Sequence, residues 1–124
     1  MQMNYEDEVM KTTWKHGLLR VRIRNIQENT FDLLRIIFDA AVEEDRFNLA
    51  VDTRDMGSLS FRQIWKIANF AIEIKPKINH YVGKLSILTS SRYQKYIRFI
   101  MRHAGPTCPY YLGVDVKEAK QFVS

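Results

Sequence analysis

Cysteine is nearly missing from these 124 residues: Cys108 stands alone, so no disulfide can close within the chain. A reducing, cytoplasmic setting is the expectation. Proline and glycine are scarce as well, with three and five residues. Pro76, Pro106 and Pro109 fall at expected element boundaries, and no Pro/Gly-rich linker, repeat or low-complexity run divides the chain. One domain over residues 1–124 is expected, with residues 1–11 as an edge strand or flexible arm. The glycines are too few and too scattered to cradle a phosphate. No apolar run approaches the roughly 20 residues that cross a bilayer. The first ten residues, MQMNYEDEVM, are acidic and lack the apolar core of a signal peptide.

Sets of catalytic or metal-binding residues are also lacking. His16, His80 and His103 are widely spaced and share no ligand pattern with Cys108. There is no G-x-S-x-G, and no Cys/His pair can be proposed from spacing. The expectation is a protein without metal or cofactor that is not an enzyme.

What the chain does have is a core and positive charge. Its hydrophobic share of 46% and aromatic share of 12% argue against disorder of the whole chain. Net charge is +5; the first ten residues hold three acids and no base, which leaves +8 on the rest. Such a balance attracts acidic partners: nucleic acid, anionic lipid or acidic protein. On a chain with 27% charged residues, a solvated charged surface is the simpler account.

Periodicity then sets the elements. In residues 12–25, TTWKHGLLRVRIRN, His16-Gly17 marks a turn, and Leu19, Val21 and Ile23 alternate with Arg20, Arg22 and Arg24. That is a strand or hairpin arm with one apolar face and one arginine face. The segment around Tyr5–Val9 is a candidate edge strand. Residues 30–44 read as a helix with Thr30 as N-cap and Leu34, Ile37, Phe38 and Ala41 as its buried stripe. Residues 47–53 read as a buried strand. Residues 61–75 read as a helix, opened by a Ser60/Gln63 capping box, striped by Ile64, Ala68, Ala71 and Ile72, and ended by Pro76. Residues 82–89 are a strand. Ser91 and Gln94 repeat the capping box before a helix that carries Tyr93, Tyr96, Ile97, Ile100 and Met101 on one face and Arg92, Lys95, Arg98 and Arg102 on the other. Residues 110–114 form a last strand, and Asp115 and Glu118 cap a final helix, VKEAKQFV. Strands alternating with helices predict an α/β fold: a mostly parallel sheet of four or five strands, helices mainly on one face and solvent on the other.

The hairpin ending LLRVRIRN, the strand-loop-helix LAVDTRDMGSLSFRQIWKIA, the strand KLSILT and the ending YYLGVDVKEAKQFV together resemble the STAS domain. This is the small α/β fold of bacterial anti-sigma-factor antagonists, related to STAS-like domains grouped with the lipid-binding CRAL-TRIO fold. The resemblance implies a non-catalytic regulatory module that docks onto another protein or onto a second copy of itself. It also implies that the loop after the second main strand, with the helix that follows, is the docking face. Here that is Met56, Gly57, Ser58, Leu59, Ser60 and the start of the next helix. In regulatory STAS domains this loop reads like Asp-Ser-Ser-Gly, and a serine at the helix start is phosphorylated. Alignment of LAVDTRDMGSLSF puts Ser60 at the family's aspartate and Phe61 at its serine. The switch serine is therefore missing unless Ser58 or Ser60 replaces it through a shifted loop. The CRAL-TRIO side implies lipid binding, but a chain this short is expected to fill its core with its own helices.

Two other functions compete with docking. One is a binder of nucleic acid or another polyanion. Arg20, Arg22 and Arg24 along one strand repel mildly and need counter-charges, either Glu6 and Glu8 of the acidic N-terminal segment or an external acidic partner. Arg92, Lys95, Arg98 and Arg102 extend the basic surface, although an outer helix needs charges facing water in any case. The other is a phosphoserine switch or small phosphotransfer enzyme in the 52–60 loop. Asp52 and Asp55 offer hard oxygen ligands of the kind Mg²⁺ takes. Yet the D-x-x-D spacing has no further acid or lysine nearby, and Arg54 competes with a metal. An aspartate accepting backbone N–H bonds in a turn is the simpler reading.

Overall fold

The computed structural model describes residues 3–124; residues 1 and 2 of the expected N-terminal arm lie outside them. The chain opens with three antiparallel strands, β1 (Tyr5–Glu6), β2 (Met10–Lys15) and β3 (Leu18–Ile23). His16 and Gly17 form the two-residue loop between β2 and β3, with φ of 52° and 73°. Positive φ at both positions gives a primed turn, whose twist matches that of the strands. Helices and parallel strands then alternate: α1 (Thr30–Val42), β4 (Phe47–Asp52), α2 (Phe61–Tyr81), β5 (Val82–Leu88), α3 (Ser91–Ala104), β6 (Tyr110–Gly113) and α4 (Val116–Val123).

The strands form one mixed six-stranded sheet in the order β1-β2-β3-β4-β5-β6, parallel from β3 to β6. The strand count exceeds the expected four or five because residues 10–23 are a complete hairpin and Tyr5–Glu6 adds an edge.

Alternation along β3 divides the faces as its sequence demands. Leu19, Val21 and Ile23 are buried, and Arg20 and Arg22 are exposed. The apolar side meets Leu34 and Phe38 of α1, Phe70, Ile74 and Ile78 of α2, and Met101 of α3. The arginine side is not wholly wet, which corrects the expectation of a bare face. Asn48 of β4 donates to the carbonyl of Val123 in α4, and Ala119 and Val123 are buried against this side. The helix is amphipathic and short, so it covers only the β4–β6 half.

Three local expectations fail for identifiable reasons. Thr30 is not the N-cap of α1; Asn29 holds that position. Thr30 is buried, and its hydroxyl accepts from the Gln27 amide and donates to the Asn25 carbonyl. Ser91 and Gln94 make no capping box. The helix starts one residue earlier in phase, where the Ser90 carbonyl accepts from the Tyr93 and Gln94 amides. Finally, α2 does not stop at residue 75 but runs through Pro76 to Tyr81. Its buried stripe is Phe70, Ile74 and Ile78, and Ile72 is 58% exposed.

The core is not completely filled. An apolar hollow of about 170 Å³ lies between the sheet and α1–α3, lined by Leu49, Phe70, Ala71, Ile97 and Ile100 among others. An apolar cavity of about 150 Å³ stays dry and admits a benzene-sized guest; this one is far short of an acyl lipid. Ala71→Leu points three carbons toward that space. It is expected to stabilise the fold by about 1 kcal/mol, read as a raised Tm. A lowered Tm would show that the hollow cannot accept the added volume.

Candidate functional site

The 53–60 loop is built as a bracket between strand and helix. Thr53 anchors it twice to the Leu88 carbonyl, through its amide at 2.8 Å and its hydroxyl at 3.0 Å. Gly57 takes φ 68°, a left-handed conformation that side chains disfavour. The Tyr93 hydroxyl accepts from the Leu59 amide at 2.7 Å, which ties the loop to α3. At Ser60 the expected capping box is present: its hydroxyl accepts from the Gln63 amide, and the Gln63 side chain accepts from the Ser60 amide. Met56 is buried and Leu59 packs against the core. Both side chains tuck under the helix, which leaves the exposed part of residues 56–60 to Gly57, Ser58 and Ser60. Ser58 is exposed, and its hydroxyl faces the Arg92 guanidinium at 3.3 Å.

The acids of this loop are occupied by arginines. Asp52 accepts from Arg54 Nε and Nη2 and from the Arg54 amide. Partial burial pushes the Asp52 carboxyl up, but the hydrogen bonds from Arg54 outweigh it and hold it below its ordinary value. Asp55 pairs with Arg22 at 2.7 Å. Among the described residues, no group of three or more His, Cys, Asp or Glu is placed to hold a metal. Cys108 is half-buried, and burial pushes its thiol up.

The arginine row of β3 separates into three environments. Arg24 lies just past the strand end and binds Glu6 at 2.7 Å and the Asp7 carbonyl at 2.8 Å. The Arg24 hydrogen bond holds the Glu6 carboxyl below its usual range. Glu8, the other expected counter-charge, offers only its backbone carbonyl, to Asn25. Arg22 is taken by Asp55. Arg20 is exposed and has no ion-pair or hydrogen-bond partner among the described residues. Arg92, Lys95, Arg98 and Arg102 are all exposed on α3, as their spacing requires.

Sequence reasoning missed an exposed aromatic face. On α2, Phe61 is 87% exposed and Trp65 is 67% exposed, with Ile72 on the same face at i+7 from Trp65. On the neighbouring α3, Tyr96 and Phe99 are 51% and 63% exposed, and the Phe99 ring lies 4.5 Å from the His103 ring. The signal is in the spacing: 61, 65 and 72 share a helical face that the stripe through 70, 74 and 78 leaves outside. A stripe drawn through Ile72 obscures it. Phe61 is also the residue that the STAS alignment puts at the switch serine, and it is the first residue of a capped helix.

No protein-family model and no curated protein matches the sequence. Among solved structures, the chain is similar to the crystal structure of an uncharacterized protein of the DUF3478 family from Shewanella loihica PV-4. The match covers 100% of this chain and 99% of that one, with a TM-score of 0.66 and 11% identity. That protein has a SpoIIAA-like fold. At this identity the likeness speaks for architecture: the chain has a SpoIIAA-like, STAS-like α/β fold, as its element order implies.

Proposed function

We propose that this chain is a non-catalytic docking module that binds an acidic, amphipathic surface of another protein through the outer face of α2 and α3. The carrying observation is the exposure of Phe61 and Trp65, one turn apart, directly after the loop that STAS-like domains use for docking. Large aromatics dominate interface energetics because they bury much area at low entropy cost. A helix face that exposes two of them is poorly suited to water. Arg62 beside them and Arg92, Lys95 and Arg98 on α3 add positive charge to the rim. Acidic partners are favoured by that rim. A second copy docked about a two-fold axis would set these cations against their own kind, so the proposed partner is a different protein.

Phe61→Ser/Trp65→Ser tests this. Both side chains are exposed, so folding should be preserved within about 0.5 kcal/mol. A partner captured from the native host by the wild type and by Arg20→Gln, but lost with Phe61→Ser/Trp65→Ser, supports the reading. Its acidic contact surface would then be mapped by hydrogen exchange. Equal capture by all three baits would remove the face from the interface. Cosedimentation with anionic vesicles, lost in the double variant, would assign the face to a membrane surface instead.

A further inference from the structure

The opposite side of the sheet carries a second feature, independent of the aromatic face. A cleft of about 360 Å³ opens there, with β2, β3, β4 and β5 as its floor and α4 as its wall. That volume lies within the range of small-molecule sites, roughly 300–1,000 Å³. Strand register builds the floor. Thr13 lies opposite Arg20, Arg20 opposite Ala50, and Ala50 opposite Ser86, so these four side chains share one row. Ala50 leaves the middle of the row low. Lys11, Arg22 and Asp52 form the next row, and Lys120 reaches in from α4.

Charge in this cleft is unbalanced. Asp52 holds Arg54, and Asp55 holds Arg22. Lys11, Arg20 and Lys120 have no ion-pair partner among the described residues. A hydroxyl adds to the donor set: Ser86, at the far end of the first row, lines the cleft.

We propose that this cleft binds the phosphate group of a small phosphorylated compound. The donors come from three strands and a helix, so they surround an anion from several sides. A tetrahedral phosphate, with three terminal oxygens and a charge near −2, uses such a set. A planar carboxylate meets only part of it. Arg20 supplies the two-pronged contact, Lys11 and Lys120 supply point charges, and Ser86 completes the oxygens' hydrogen bonds. The cleft is too confined to admit a nucleic-acid duplex, and the arginine row is interrupted by its internal pairs.

Glycerol phosphate and inorganic pyrophosphate, titrated at constant ionic strength, test the site by amide chemical shifts. Saturable one-to-one binding is expected, with shifts centred on Thr13, Arg20, Ser86 and Lys120. Arg20→Gln is expected to weaken it at least about tenfold, and Arg98→Gln, on the far side, to leave it unchanged. Lys120→Gln repeats the test should Arg20→Gln fold poorly. Three results overturn the proposal: no saturation with either phosphate, equal weakening by Arg98→Gln, or equally tight binding of succinate.

Discussion

Leu49→Ala should lower the unfolding free energy by about 4 kcal/mol, near the top of the range for buried leucines. Leu49 is 2% exposed in β4, between the hairpin half of the sheet and its parallel half. It stands in register with Leu19 on β3 and Leu85 on β5. Truncation removes three carbons from that row. The void it leaves joins the apolar hollow, which Leu49 already lines. A cavity that enlarges an existing one cannot be closed by the small shifts that rescue isolated truncations, and its penalty grows with residual volume. Strands β3 and β5 are held in register by hydrogen bonds and cannot collapse inward. Urea unfolding of the variant should show a lower midpoint with an unchanged slope, the mark of lost stability rather than altered compactness. Leu49→Ile keeps the volume and should cost less than about 1.5 kcal/mol. A loss under about 1 kcal/mol for Leu49→Ala would mean that the helices settle onto the sheet and the hollow is not fixed.

The order of elements was legible because each carries a strong local signature. Period-two alternation at 19–23 and the 34, 37, 38, 41 spacing leave little choice of element. Capping was legible where side chain and backbone agree, as at Ser60 and Asp115, whose side chains accept from the Gln63 and Glu118 amides. It was not legible at Ser91. There the phase of the helix is set by the exit of β5, whose next residue, Thr89, donates to the Gly113 carbonyl. That bond joins residues far apart in sequence, so no local pattern reports it. Helix placement on the second sheet face was hidden for the same reason: α4 looks like any amphipathic helix until the chain is closed.

The candidate sites divide along the same line. Exposure of the α3 cations follows from spacing alone. The fates of Arg20, Arg22 and Arg24 do not, because Asp55 and Glu6 reach them from other segments. The cleft, likewise, is a product of register across four strands. Phe61 and Trp65 are a different matter. Their exposure follows from the true stripe, but a helix that ends at Pro76 conceals it, because Ile78, which fixes the phase of that stripe, then falls outside.

Pro76→Ala should therefore raise stability, by about 2 kcal/mol, although most substitutions lower it. In an exposed helix interior, proline is about 3 kcal/mol worse than alanine, since it lacks the N–H and crowds the carbonyl four residues back. Here that carbonyl belongs to Ile72, on the exposed side, where water can serve it. The helix tolerates the defect because contacts bracket it. Ile74 and Ile78 are buried on either side, and Glu73 and Lys77 pair with Arg35 and Asp39 of α1. The ion pairs are exposed and worth little each; burial of the two isoleucines contributes more, roughly 1.5–3 kcal/mol apiece. Pro76 itself is exposed, so its removal empties no space in the core. Alanine restores the hydrogen bond to Ile72 and relieves the crowding. Relaxation already present around the proline trims the gain below the full value of about 3 kcal/mol. Pro76→Gly restores the same N–H but should fall about 1 kcal/mol short of alanine, because glycine disfavours helix interiors. Were the helix to end at residue 75 in solution, alanine at 76 would bring no helical hydrogen bond. Pro76→Ala would then leave the urea midpoint unchanged or lower it, and the alanine–glycine difference would vanish.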